Sequence, residues 1–371
     1  MNAPRKLGER ELRDIVNGAC ILGCGGGGPL SIGLQILEEL LKQGKPVLLA
    51  DPSSIDAAAT MAVSADVGSP DAASGGGFDF GAAPIAYGVL DALQQHAGWK
   101  PFSYVLPGEV GAGNSFIPMS VAAQKGIPIV DAAGARRAIP GLAMCTYASH
   151  QIPISPIAMG NESNQVTLTV KDIPTAEAAI HGIISGDTFG QLAGVAFWPM
   201  NGKTMQGSAI FGTTSYAEKL GATLREALAA KKDPVEAVRA YLEGYLLFVG
   251  TIVDSGEQTS GGFDYGRVTL KADDGSELYI FNQNENLIAW NTKDARPVAM
   301  GPDLICYLTT DGLVFSNADM DIPKGKKVAV IGAKAPPQMR DPKIVVQFTN
   351  TLRQMAWYAG PYVPIEELNR R

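Results

Sequence analysis

Apolar positions near the start of the chain recur at helical spacing. Leu12, Ile15, Val16, Ala19 and Leu22 form a 3.6-residue stripe with acids and bases on the opposite face, which predicts a helix over Glu9 to Leu22. A second stripe, Ile32, Ile36, Leu37, Leu40 and Leu41, predicts a helix with Pro29 at its first turn and Gly44 at its stop. From Pro46 onward short apolar runs alternate with helical stripes. Strands are expected at Pro46 to Ala50, Thr60 to Val67, Tyr104 to Leu106 and Ile127 to Val130, and helices at about Ala82 to His96 and Ser115 to Lys125. These strands show little polar alternation, as expected where both faces are covered, so the segment reads as an α/β domain with a mostly parallel sheet.

The texture changes at Gln165. Val166, Leu168 and Val170 alternate with polar residues, and Arg267 to Phe281 reads as a hairpin turning at Asp273-Asp274-Gly275-Ser276. Helices at Thr175 to Ile184, Tyr216 to Ala230 and Pro234 to Phe248 interrupt this region, with further strands at Leu304 to Leu308 and Lys327 to Ile331. The expected organisation is an α/β domain over residues 1–165 and a β-rich α+β domain over 166–371; two domains suit a chain of 371 residues. Two glycine-aromatic segments, Ser74 to Gly81 and Ser260 to Gly266, are expected to be mobile loops.

Composition narrows the function. With 46% hydrophobic and 18% charged residues the chain can fill sizeable cores and is too apolar for disorder. The net charge of −7 and the absence of any Lys/Arg run longer than a pair argue against a nucleic-acid partner. No apolar run approaches a membrane span and Met1 to Arg13 lacks a signal-peptide stretch, so a soluble cytoplasmic protein is expected. Cys20, Cys24, Cys145 and Cys306 sit in apolar sequence, as reduced thiols do, and a homo-oligomer is left open.

Four segments carry candidate chemistry. Gly25, Gly26, Gly27 and Gly28 precede the second helix, where free amides and the helix dipole favour an anion; the competing reading is a tight turn that needs glycine for packing. Pro107 to Ser115 follows a buried strand and opens a helix, which places Glu109 and Asn114 at a strand's C-terminal end and makes Glu109 a candidate general base. Asp131 ends a strand beside Arg136, and His150 lies in a loop-rich stretch between the domains. Asn284, Glu285 and Asn286 form a polar cluster after an apolar strand, expected to face a polar ligand. The cofactor is unknown: no metal-ligand spacing is present, and a divalent ion such as zinc would need distant residues such as Cys145, His150, Asp131 or His181.

Taken together, Gly23 to Gly28, Pro107-Gly108-Glu109-Val110-Gly111 with Asn114, Asn284-Glu285-Asn286 and Pro302-Asp303-Leu304-Ile305 resemble the bacterial S-methyl-thiohydantoin desulfurase-like family, often found beside hydantoinase-type proteins. The resemblance spans most of the chain. It implies an N-terminal α/β domain carrying the glycine loop, a β-rich C-terminal domain, and hydrolysis of a small five-membered imide-like ring. Where the family shows an acidic stretch, Asp131 to Gly141 keeps Asp131, Gly134, Arg137 and Pro140 but has Ala133 and Gly141 in place of two carboxylates, a departure that leaves open a different substrate or the loss of that activity. The expected function is a hydrolase acting on a hydantoin-like or S-alkyl-thiohydantoin compound, with water activated by a carboxylate or a metal. The alternatives are a hydantoinase-accessory protein and a non-catalytic small-anion binding module.

Overall fold

The computed structural model describes residues 3–68, 79–189, 192–260, 263–355 and 358–370. The first half of the chain supplies β1 (Arg5–Leu7), β2 (Val47–Ala50), β3 (Thr60–Gly68), β4 (Tyr104–Pro107), β5 (Ile129–Val130), β6 (Ala132–Ala133), β7 (Ile157–Gly160), β8 (Gln165–Leu168), β9 (Leu192–Asn201) and β10 (Ile210–Phe211). Eight of these form one sheet in the order β1-β2-β5-β4-β3-β9-β7-β8, and β6 pairs with β10 in a small ribbon. The centre, β2-β5-β4-β3, is parallel; β2, β5, β4, β3 and β7 run one way and β1, β9 and β8 the other. This is the mixed, mostly parallel α/β domain that the buried strands implied.

The second half builds β11 (Tyr245–Ser260), β12 (Phe263–Lys271), β13 (Glu277–Gln283), β14 (Glu285–Asn291), β15 (Arg296–Met300), β16 (Leu304–Thr309) and β17 (Lys327–Ala333). They form an antiparallel sheet in the order β15-β14-β13-β12-β11-β17-β16, curled so that β14 and β15 at one edge meet β16 at the other. The result is a β-rich half-barrel with helices. The Glu9–Leu22 helix packs along the Thr213–Ala229 helix and is clamped to it by a bidentate pair from Arg225 to Asp14 at 2.8 and 2.9 Å.

Several expectations need correction. The helix starting at Pro234 stops at Tyr241 instead of Phe248: Glu243 takes a left-handed φ of 49°, and Tyr245 to Thr251 pair with β17. Strand β9 was not foreseen, because its continuous apolar run is broken in sequence by Gly194 and Pro199; Trp198 and Pro199 fall at a bulge where the register with β3 shifts. Since β9 pairs with β3, the chain returns to the first sheet well after residue 165, and the expected division at 165/166 falls at the start of β8, inside a hairpin. Of the glycine-aromatic segments, residues 74–78 and 261–262 lie outside the described residues, while Phe263 to Gly266 are paired in β12 and are not a free loop.

Candidate active site

A cleft of about 290 Å³ lies where the glycine loop, the strand end at Glu109, the 284–285 turn and β3 converge. The loop's conformation follows from its glycines: Gly25, Gly27 and Gly28 have φ of 88°, 76° and 85°, which side chains disfavour. Its backbone joins three elements. Cys24 O accepts from Asn286 N–H at 2.7 Å, Gly25 O from Asn317 N–H at 2.7 Å, and Gly27 O from the N–H groups of Gly113 and Asn114 at 3.0 and 3.1 Å.

The free amides at this loop are met by carboxyl groups of the chain itself. Gly27 N–H donates to Glu285 Oε1 at 3.3 Å, and Leu30 N–H, in the first turn of the second helix, donates to Asp319 Oδ2 at 2.8 Å. A Cβ on Gly26 would sit 2.0 Å from Glu285 Oε1, so the missing side chain is what admits that carboxyl.

Glu109 faces the same cleft. Its Oε2 accepts from Ile139 N–H at 2.7 Å and its Oε1 from the Asn114 amide. Burial pushes its pKa up to about 7, against the pull of these donors and of the Arg137 charge. Glu285 is pushed well above the usual carboxylate range, first by burial and then by the Glu109 charge. Its Oε2 is buried with no hydrogen-bond partner among the described residues. Arg137, fully buried, binds three carbonyl oxygens, those of Ala138, Asp303 and Asn286, at 2.9, 2.8 and 2.8 Å, so its charge is held in place behind the two carboxyls. Two carboxyl groups whose pKa values are raised by burial thus line one cleft.

Other expected site residues have structural duties. Asp131 is outside the cleft: its Oδ1 accepts from Thr214 and Ser215 N–H groups at 2.9 and 3.0 Å, capping the Thr213–Ala229 helix. Arg136 stacks over the Tyr216 ring instead of pairing with Asp131. His150 is exposed and outside the cleft, its Nδ1 2.9 Å from Thr146 O at the end of a four-residue helix. Asn286 is fully buried, donating to Ile305 O and accepting from Asn317, so it holds the fold and does not line the cleft. Asn284, with a φ of 56°, makes the tight β13–β14 turn and lines the cleft with Asn114. Cys24 lies 3.8 Å from Cys306, both fully buried; burial opposes ionisation of Cys24, but the Cys306 thiol and Arg137 bring its pKa down to about 7.

The sequence reading missed the opposite wall: Ser64 and Asp66, two residues apart on one face of β3, and His181 as a cleft residue. The legible signal was a pair of polar residues at period two inside an apolar strand. Among the described residues, no group of three or more His, Cys, Asp and Glu is arranged to hold a metal ion, and no helix is long and apolar enough to cross a membrane.

An α/β domain and a half-barrel enclosing a carboxylate-lined cleft define the class: a two-domain protein with a cleft lined from both halves. The chain belongs to the S-Me-THD-like family, whose N-terminal domain matches residues 10–171 and whose C-terminal domain matches residues 171–347. A crystal structure of a protein from Chromobacterium violaceum superposes with a TM-score of 0.86 at 28% identity, over 97% of this chain and 100% of that one. No curated protein matches the chain.

Proposed function

We propose that the protein hydrolyses an S-alkyl-thiohydantoin, or a closely related hydantoin-like ring, at the carbon that carries sulfur. The observation that carries this reading is the pairing of Glu109 and Glu285 in one cleft, the first with a pKa of about 7 and the second also raised by burial and by the Glu109 charge, so that when Glu109 ionises as base its charge keeps the proton on Glu285. Water adds to the ring carbon; one proton passes to Glu109 and the imine nitrogen takes one from Glu285. Collapse then breaks the C–S bond. The thiolate leaves with the proton held by Glu109, and the new hydroxyl returns a proton to Glu285, leaving a hydantoin, a thiol and both carboxyls restored. Ile139 N–H and the Asn114 amide keep the Glu109 carboxyl oriented.

A cleft of about 290 Å³ suits a ring of this size with a short substituent. An anion-binding role without catalysis finds little support here, since Asp66, Glu109, Glu177, Asp264 and Glu285 line the cleft and, among the described residues, no Lys or Arg does. The test is to incubate purified protein with an S-methyl-thiohydantoin and follow methanethiol with a thiol reagent. Release that Glu109→Gln and Glu285→Gln each suppress supports the reading; no release over background, or release at full rate by both variants, overturns it.

A further inference from the structure

We propose that Asp66, Ser64 and His181 form a second pole of the cleft, which takes a cationic nitrogen: an alkylammonium or amidinium carried by the substituent of the bound ring. Both carboxyl oxygens of Asp66, the Ser64 hydroxyl and Nδ1 of His181 are cut off from water and have no hydrogen-bond partner among the described residues, yet all three residues line the cleft. Orphaned polar atoms of this kind are rare in folded proteins, and each is destabilising until something bonds to it. Four of them on three residues lining one cleft mark the place where a ligand supplies the missing partners.

The chemistry of the set selects the ligand. A carboxyl offers two acceptors when ionised, a hydroxyl offers another, and a neutral imidazole nitrogen a further one; the complement is a group with several N–H donors. Burial lowers the His181 pKa and, with the like charge of Asp79, raises that of Asp66, so a cation arriving here meets neutral imidazole and hydroxyl acceptors and favours the ionised Asp66 carboxylate. Charge elsewhere in the cleft agrees. Its lining is acidic, and the Arg137 guanidinium is committed to backbone carbonyls behind Glu109 and Glu285. A carboxylate substituent would find no Lys or Arg among the described lining residues. The Phe263 ring, 5.0 Å from the His181 ring, adds an aromatic face to the same pole. That the cation is a ring substituent rests on the proposed hydrolysis; the cation pole itself does not.

The experiment has two arms. In the first, thermal melts of wild type, Asp66→Asn and Ser64→Ala are recorded with propylammonium, propionamide or propionate at matched ionic strength, with no ring compound present. Propylammonium should raise the melting temperature of wild type and not of Asp66→Asn, with Ser64→Ala intermediate. Equal stabilisation by propionamide, stabilisation by propionate, or no stabilisation by propylammonium would overturn the pole. In the second arm, S-methyl-thiohydantoins bearing an aminoalkyl or a plain alkyl chain are compared: the aminoalkyl compound should show a KM about tenfold to a hundredfold lower, a preference lost in Asp66→Asn. If neither compound turns over, the hydrolytic reading fails while the melts still decide the pole. If both turn over with equal KM, the pole fails and the hydrolytic reading stands.

Discussion

Gly27 N–H donates to Glu285 Oε1 across 3.3 Å, and this contact explains why the loop is made of glycine. A run of free amides ahead of a helix is a generic anion site. Here the amides meet a carboxyl group from the other domain, delivered by the β13–β14 turn, and the loop brings Glu285 into the same cleft as Glu109.

Gly26 is the sharpest probe of that role. It does not have a left-handed φ, so a substitution there is strained only by contact, and the contact is the Glu285 carboxyl at 2.0 Å from a new Cβ. Gly26→Ala should therefore displace Glu285, cost about 1–3 kcal/mol by overpacking, and reduce thiol release far more than that loss of stability explains. Urea midpoints and steady-state rates on the same preparation check this. A folded Gly26→Ala protein with an unchanged rate would remove Glu285 from the reaction.

Much of the fold was legible because local signals agreed. The stripes of the first two helices and the capping Asp233-Pro234 pair appear as helices where the pattern put them. What escaped was set by partners distant in sequence. Strand β9 depends on pairing with β3 across more than a hundred residues, and Leu246 to Phe248 carry apolar residues compatible with either helix or strand until β17 is alongside. The site was half legible for the same reason. Glu109, Glu285 and the glycines sit at recognisable punctuation, whereas Asp131 looks identical in sequence whether it caps a helix or serves a substrate; only the helix starting at Thr213 decides.

Asp131 and His150 give a contrasting prediction. Removing the carboxylate that caps two N–H groups should destabilise the protein by about 1 kcal/mol in Asp131→Ala, with kcat within twofold of wild type. His150→Ala, at an exposed position, should leave both quantities unchanged. A large kcat loss in either variant, with stability intact, would return that residue to the reaction.

For Cys24, two effects oppose each other. A pKa of about 7 favours the reactive thiolate, while complete burial beside Cys306 blocks any reagent. Access should win: alkylation by iodoacetamide, followed by mass spectrometry of the peptide, should be at least about a hundredfold slower in the native protein than in urea, because reaction must wait for opening. Rapid native labelling would show that the glycine loop opens readily.

Glu109 carries the last prediction, in which catalysis and stability change together. As a general base it should contribute about 10²- to 10⁴-fold, so Glu109→Gln should lower kcat by that range and leave KM within a few-fold. Wild-type kcat/KM should rise with pH through an apparent pKa near 7 as the carboxyl ionises. The same shift has a sign for folding. The native pKa lies above the ordinary value of 4.5, so between about pH 4.5 and 7 the native state binds more protons than the unfolded chain. Its stabilising contribution is therefore complete below pH 4.5 and is lost as pH rises through 7, by on the order of 3 kcal/mol at 1.36 kcal/mol per pKa unit. Glu109→Gln, neutral throughout, should lack that loss: urea midpoints of the variant and wild type should converge near pH 5, and the variant should be the more stable near pH 8. Parallel pH profiles of stability would mean that the cleft leaves Glu109 with an ordinary pKa, and the base of the proposed hydrolysis would have to be sought at Glu285.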